Sequence, residues 1–234
     1  MRFLCLHGMG TNGKIFEFQT EFAAKLRLGI GGDHEYIFID GTVASAPAPG
    51  VQDLASSKDE FLRFAEENDV DGYLTLYNDL KILVEDEGPF DAVMAFSEGA
   101  AVAASLIVDH IRCTSAGEFS PFGFKCAIFL CSANPLDASE IQKGKLRLLS
   151  SDIDGRLIQI PTAHIWTPED DVHPGFGMTL TKLCASDLME NHVHDLGHTI
   201  PGAQSDKGVP EAVRAIRRTL ERAMEKDHEE SLGV

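Results

Sequence analysis

The sequence predicts an α/β domain, a doubly wound and mainly parallel sheet of about six strands with helices on both faces. Short apolar runs bounded by turn residues recur at about 2–7, 35–40, 90–96, 124–130, 163–167 and 191–196, and read as strands. Helical patterns separate them, so successive strands are joined by right-handed crossovers and lie parallel. The length, 234 residues, is within what one such sheet and its helices occupy, and a single domain over 1–234 is expected.

Each element has its own local signal. The first strand, Phe3-Leu4-Cys5-Leu6, runs into His7-Gly8. Ile15, Phe18, Phe22 and Leu26 then recur on one helical face until Gly29 stops the turn. Gly41 to Gln52, with Ala-Pro-Ala-Pro at 46–49, is too Pro-rich for core and too apolar for a spacer, so a lid over the site is assigned to 41–78. Leu76, Leu80, Leu83 and Val84 mark a helix that ends before Gly88-Pro89. The Ala-rich stretch 99–108 and the stretch 209–226 also read as helices, and the tail 225–234 is expected to fray.

Composition narrows the function classes. Hydrophobic residues make up 44% of the chain, enough for a large core. The formal charge of -17 argues against nucleic acid or an anionic membrane as partner. Arg214, Arg217, Arg218 and Arg222 are the densest basic stretch, but Glu211, Glu221 and Glu225 are interspersed at helical spacing, which reads as a solvated face. Five cysteines without a CxxC pair suggest neither a disulfide framework nor a zinc knuckle, and point to a reducing, cytoplasmic location. The opening apolar run is too short for a signal peptide, and no segment reaches the ~18 apolar residues of a membrane span.

The chemistry begins at Val93-Met94-Ala95-Phe96-Ser97-Glu98-Gly99-Ala100, where a strand ends and a helix opens. A nucleophile elbow needs that context, because the sharp turn throws the serine out at the sheet edge and the helix N-terminus favours negative charge there. Ser97 is the candidate nucleophile; the competing role is an ordinary helix N-cap. Ala95 replaces the first glycine of G-x-S-x-G. The expected partners follow in the order acid, then histidine. Pro168-Glu169-Asp170-Asp171 follows the strand Ala163–Thr167, and Asp170 is the candidate acid, with Glu169 and Asp171 left open beside it. His198 lies in a loop beyond the last strand, as a general base should, whereas His192 and His194 on the strand itself read as packing or surface residues. No H-E-x-x-H or comparable spacing supports a metal site. An oxyanion hole needs two convergent N–H groups, assigned to the backbones of Met9 and Glu98.

A rival signal occupies the same first loop. Gly8, Gly10 and Gly13 satisfy G-x-G-x-x-G between a strand and a helix, and Asp40 ends the second strand where a ribose ligand would sit, so a dinucleotide-binding oxidoreductase is the alternative enzyme class. A lone glycine fingerprint leaves the ordered Ser, Asp and His motifs unexplained. A binding protein that retains a hydrolase fold is the non-enzymatic alternative.

Taken together, Leu6-His7-Gly8, Lys14-Ile15-Phe16, Gly88-Pro89-Phe90-Asp91, Ala95-Phe96-Ser97-Glu98-Gly99-Ala100 and Gly197-His198-Thr199-Ile200-Pro201 resemble the FSH family of fungal-type serine hydrolases, over nearly the whole chain. Ala95 departs from the family's usual glycine, Glu98 from a common glutamine and Thr167 from a frequent glycine before the acid. The resemblance implies an α/β-hydrolase fold, no cofactor, and hydrolysis of an ester or thioester through an acyl-enzyme. Lactonisation or cyclisation by the same residues is the variant. It further implies a small-molecule or carrier-bound acyl substrate, including release of a polyketide product from a synthase carrier protein in secondary metabolism.

Overall fold

The computed structural model describes residues 1–23, 25–52, 58–202 and 206–232. In chain order the elements are β1 (Arg2–Leu6), α1 (Gly13–Phe18), α2 (Leu26–Ile30), β2 (Glu35–Ile39), β3 (Val43–Ala44), β4 (Leu62–Arg63), α3 (Val70–Glu87), β5 (Ala92–Phe96), α4 (Glu98–Ser115), β6 (Cys126–Leu130), α5 (Ala138–Ile141), α6 (Ser151–Asp154), β7 (Thr162–Trp166), α7 (Phe176–Leu183), β8 (Met189–Val193) and α8 (Val209–Leu232). Six strands form one sheet in the order β2-β1-β5-β6-β7-β8, and every pairing in it is parallel. All six expected strands are present, each within three residues of its sequence-based bounds.

Period-two alternation divides the core between the two faces of the sheet. Phe3, Cys5, Met94, Ile128 and Ile165 pack against Phe16, Leu26, Ile216 and Leu220 of α1, α2 and α8. Leu4, Leu6, Val93, Ala95 and Phe129 pack on the other side against Leu76, Leu80, Leu106 and Leu180 of α3, α4 and α7. The central strands β5, β6 and β7 are buried at every position, because both faces are covered. Each Leu or Phe so buried contributes about 1.5–3 kcal/mol of transfer free energy.

The chain crosses from β2 at one side of β1 to β5 at the other, so the loops after β1 and β5 diverge at their C-terminal ends. Open α/β sheets bind ligands at such a switch point.

Two sequence-based expectations change. The helix expected over Ile15 to Leu26 is broken: α1 stops at Phe18, a π-helical turn covers Gln19–Ala23, and α2 begins after Lys25, whose φ is 52°. Phe18 is 41% exposed, so the apolar stripe does not continue through it. Gly29 lies inside α2 and does not end it. A Cβ there would stand 2.6 Å from Val213 Cγ2, so the glycine permits close packing of α2 on α8, and Gly31 takes the terminating position. The arginines of α8 also reach beyond their own helix: Arg222 and Arg218 pair with Glu190 at 2.7 and 3.6 Å, and Arg217 donates to the Ile30 carbonyl.

Residues 41–78, the segment assigned to a lid, contain β3, β4 and the first turns of α3; residues 53–57 lie outside the described residues. β3 and β4 form a small antiparallel pair. Backbone bonds tie this segment to the loop after β1: Gly10 N–H donates to Leu62 O, Leu62 N–H to Thr11 O, and Ala48 N–H to Gly10 O. At the other end, α8 continues through Leu232 over most of the tail, and residues 233–234 are outside the described part. None of the described helices is long and apolar enough to cross a membrane.

Candidate active site

At the C-terminal end of β5 the chain turns sharply into α4, and Ser97 takes the turn with φ 53° and ψ −116°, a conformation that costs a non-glycine residue free energy. The turn holds because its neighbours lock it. Ser97 N–H donates to Leu130 O, Ala133 N–H donates to Ser97 O, and Gly99 N–H donates to His7 O. Gly99 is required for that approach, since a Cβ would lie 2.5 Å from the carbonyl oxygens of both His7 and Leu6. Ala95, by contrast, is fully buried inside the strand, where a methyl group fits.

Ser97 stands at the N-cap position of α4, yet its side chain makes no capping bond. Its Oγ–H instead faces His198 Nε2 at 2.9 Å, and His198 Nδ1–H donates to Asp170 Oδ2 at 2.7 Å. The other carboxylate oxygen of Asp170 accepts the N–H groups of His173 at 2.7 Å and Val172 at 3.0 Å, which fixes its plane. Burial alone would raise the Asp170 carboxyl, but the bonds from His198 and these backbone donors outweigh it and hold the group below the ordinary carboxylate range. Glu169 and Asp171 are exposed, whereas Asp170 is buried. The fold thus brings Ser97, His198 and Asp170 together and leaves the two neighbouring carboxylates in solvent.

Phe96 lies against the His198 ring at 5.1 Å, and the His173 ring meets it edge-on at 5.2 Å. From behind, Cys131 Sγ–H donates to the carbonyl of Thr199, next in sequence to His198. Burial pushes that thiol up to about 12, so it stays protonated and serves as a packing group. Cys131, Asp170 and His198 offer ligand-type atoms within 4.8 Å of one another, but two of those residues already satisfy each other by a hydrogen bond.

The loop after β1 approaches the serine from the opposite side. A Cβ on Gly8 would lie 3.1 Å from Ser97 Cβ, so Met9 enters the wall beside the nucleophile. His7 shapes this loop. Burial lowers its imidazole below the ordinary range, against the Gly8 carbonyl and Asp40, which act the other way. As a neutral ring it donates Nδ1–H to Gly8 O and accepts Gly41 N–H at Nε2, both at 2.8 Å. Glu98 opens the first turn of α4, where backbone N–H groups have no partner within the helix. The loop after β1 and the first turn of α4 therefore both adjoin Ser97.

The glycine loop is committed elsewhere than to a dinucleotide. Gly13 N–H donates to Asp40 Oδ1 and Ile15 N–H to Asn12 Oδ1, both at 2.8 Å, so donors that would hold a pyrophosphate are bonded internally. Asp40, which ends the strand where a ribose ligand would sit, accepts the N–H of Gly13 at the start of α1 beside the Asn12 cap.

A cavity of about 510 Å³ opens beside Met9, Glu98 and His173. Tyr73, Tyr77, Val102 and Leu136 give it a largely apolar wall, and Arg63 and Asn134 add polar groups. Sequence reasoning missed His7, Arg63 and His173, since nothing in the local pattern separates a buried loop residue from a surface one. The His7-Gly8 pair at a strand end was the available signal for the first.

The chain is 34% identical over 226 residues to the esterase FPY3 of Fusarium mangiferae, covering 96% of this chain and 99% of that one. It is 29% identical over 231 residues to the thioesterase FSL2 of Gibberella zeae, covering 90% of each. Among solved structures, acyl-protein thioesterase 2 of Zea mays superposes with a TM-score of 0.58 at 18% identity, over 95% of this chain and 93% of that one, a likeness of fold. The family model for serine hydrolase (FSH1) matches residues 1–209, and the chain, with its α/β-hydrolase sheet and its serine at the elbow, belongs to the FSH1 family of serine hydrolases.

Proposed function

We propose that this serine hydrolase cleaves a carboxylic ester or thioester through an acyl-enzyme intermediate, with Ser97 as nucleophile, His198 as general base and Asp170 as the group that orients the base. The observation that carries the reading is the continuous hydrogen-bonded chain from Ser97 Oγ through the His198 ring to a buried Asp170. As Ser97 Oγ attacks the acyl carbon, its proton passes to His198 Nε2, and Asp170 stabilises the imidazolium and holds its tautomer. The backbone N–H groups of Met9 and Glu98 receive the oxyanion, aided by the N-terminus of the 18-residue helix α4. His198 then protonates the leaving alcohol or thiol. Water, activated by the same ring, frees the acid and restores Ser97.

In this reading the cavity beside Glu98 takes the acyl group, and the lid is assigned to residues 41–78, of which 53–57 lie outside the described residues; the backbone bonds of Ala48 and Leu62 to Gly10 and Thr11 keep the oxyanion loop in place. Release of a carrier-bound acyl chain, a polyketide among the candidates, is the finer version, and the thioesterase name of the FSL2 relative favours it. Cytoplasmic residence fits five free cysteines.

A fluorophosphonate probe tests the assignment: labelling of Ser97 in the folded protein is expected, and none in Ser97→Ala. That variant should keep its circular dichroism spectrum and lose activity by several orders of magnitude, on the order of 10⁶ in other triads. Near-native turnover by purified Ser97→Ala would refute the nucleophile. Isotopically labelled water separates hydrolysis from cyclisation, because only hydrolysis places solvent oxygen in the product acid.

A further inference from the structure

The acyl cavity is charged in an asymmetric way. Arg63 supplies a cation to its wall, but three carboxylates surround that guanidinium: Glu66 at 3.2 Å, Glu98 at 3.4 Å and Glu67 at 3.9 Å. Arg63 and Glu98 are only 12% and 14% exposed at their side chains, so water screens this part of the cluster weakly. Glu98 is held further by Phe64 N–H, which donates to its Oε2 at 3.0 Å. Glu67 and Glu98 both line the cavity, and after Arg63 offsets the buried Glu98 the carboxylate in excess is Glu67, which is 77% exposed at the solvent side. On the same wall Asn134 has a buried Oδ1 with no hydrogen-bond partner among the described residues. Asn134 follows Ala133, whose N–H holds the Ser97 carbonyl, so its backbone adjoins the nucleophile turn while the residue lines the cavity.

Resting on the reading of Ser97 as nucleophile, we propose that the cavity selects uncharged acyl groups and rejects those that end in a carboxylate, with Glu98 and Glu67 as the rejecting side chains. Asn134 is the neutral polar contact for a hydroxyl carried by the acyl group, which donates to its Oδ1. A quenched arginine offers an anion no free fork of donors, because forming a new pair would break one of the existing three. An incoming carboxylate therefore meets net repulsion from the acidic side chains beyond the one that Arg63 offsets, while a neutral chain bearing a hydroxyl donates to the Asn134 Oδ1 that otherwise stays unpaired.

The test uses three p-nitrophenyl esters with one leaving group and one chain length: hexanoyl, 6-hydroxyhexanoyl and the adipic monoester. At low salt, kcat/KM for the adipic ester should fall several-fold below that for hexanoyl, as expected for a like charge on a solvent-facing wall. The ratio of the two should narrow several-fold in Glu98→Gln, in Glu67→Gln, and in the unmodified enzyme at about 0.5 M salt. Asn134→Leu should lower the hydroxyhexanoyl rate relative to hexanoyl. An adipic ester turned over as fast as hexanoyl, or a ratio unmoved by salt and by both substitutions, would overturn the charge selection. An unchanged hydroxyhexanoyl preference in Asn134→Leu would remove that residue's part. The same preparations are labelled with the fluorophosphonate. Labelled, active enzyme without discrimination defeats this inference alone, whereas absence of both labelling and hydrolysis defeats the assignment of Ser97 and this inference with it.

Discussion

At the residue scale, one position can be an N-cap or a nucleophile, and the backbone at Ser97 separates the two. An N-cap serine sits in extended backbone and bonds the helix amides, whereas Ser97 has φ 53° and turns its hydroxyl to His198. Strain of that kind persists because Gly99, Leu130 and Ala133 hold the turn from three sides. The same local reasoning distinguishes the acid. Asp170→Asn should preserve packing but present an amide to His198 Nδ1 and favour the wrong tautomer, with a loss of up to about 10⁴ in kcat. Glu169→Gln and Asp171→Asn, both in solvent, should change kcat little. Steady-state kinetics of the three variants at one pH, with folding checked by circular dichroism, decide it; a large loss confined to Glu169→Gln or Asp171→Asn would transfer the role.

At the scale of elements, the loop between β6 and α6 must be rigid, because it supplies Asn134, Leu136, Leu146 and Leu148 to the cavity. Asp137 anchors it. Its carboxylate accepts Arg112 of α4 at 2.6 Å, Arg147 on the far side of the loop, and the Ser139 hydroxyl and backbone. Burial works against the charged form, but these partners hold the carboxyl down at about 2 from an ordinary 3.8. A depressed folded-state value means stability that is present above the unfolded value and lost as pH falls through the folded one. Asp137→Asn should therefore cost about 2 kcal/mol at neutral pH. Urea midpoints of the two proteins should converge as pH drops from about 4 toward 2, the window between the two values. A constant gap through that window would show that the anchor does not act through its charge.

For the whole molecule, acid stability turns on histidines that the fold keeps neutral. His164 on β7 is fully enclosed, packed on Phe129 and bonded to Thr162, and burial lowers its imidazole to about 3. His194 is lowered to about 4, chiefly by burial and then by His192. Unfolding frees both to take up protons near the ordinary histidine value of about 6.5, so the unfolded state binds more protons and stability falls as pH drops from there toward the folded values. His164 alone should account for about 2 kcal/mol by pH 5. The measurement is the pH dependence of denaturant midpoints for His164→Phe against the parent. Relief of the self-repulsion from the net charge of -17 acts on both proteins and cancels in the difference. Parallel slopes for the two proteins would contradict it.

Strands, their parallel order and the residue types of the site were legible in the sequence, because apolar runs and helix punctuation depend on neighbours a few positions apart. Phe3 to Leu6, Val93 to Phe96 and Ala163 to Trp166 announce buried strands without reference to anything distant. Serine, acid and histidine at the ends of such strands were visible for the same reason. The tertiary structure alone decided which of three adjacent carboxylates is buried, why the expected helix breaks before Lys25, and that His7, Arg63 and His173 belong to the site. It also determined that Asp40 accepts the Gly13 N–H at the start of α1. Ser97 meets His198 across 101 residues, and His198 meets Asp170 across 28. Contacts of that span come from the packing of β5, β7 and β8 in one sheet, and chain-local propensity carries no record of them.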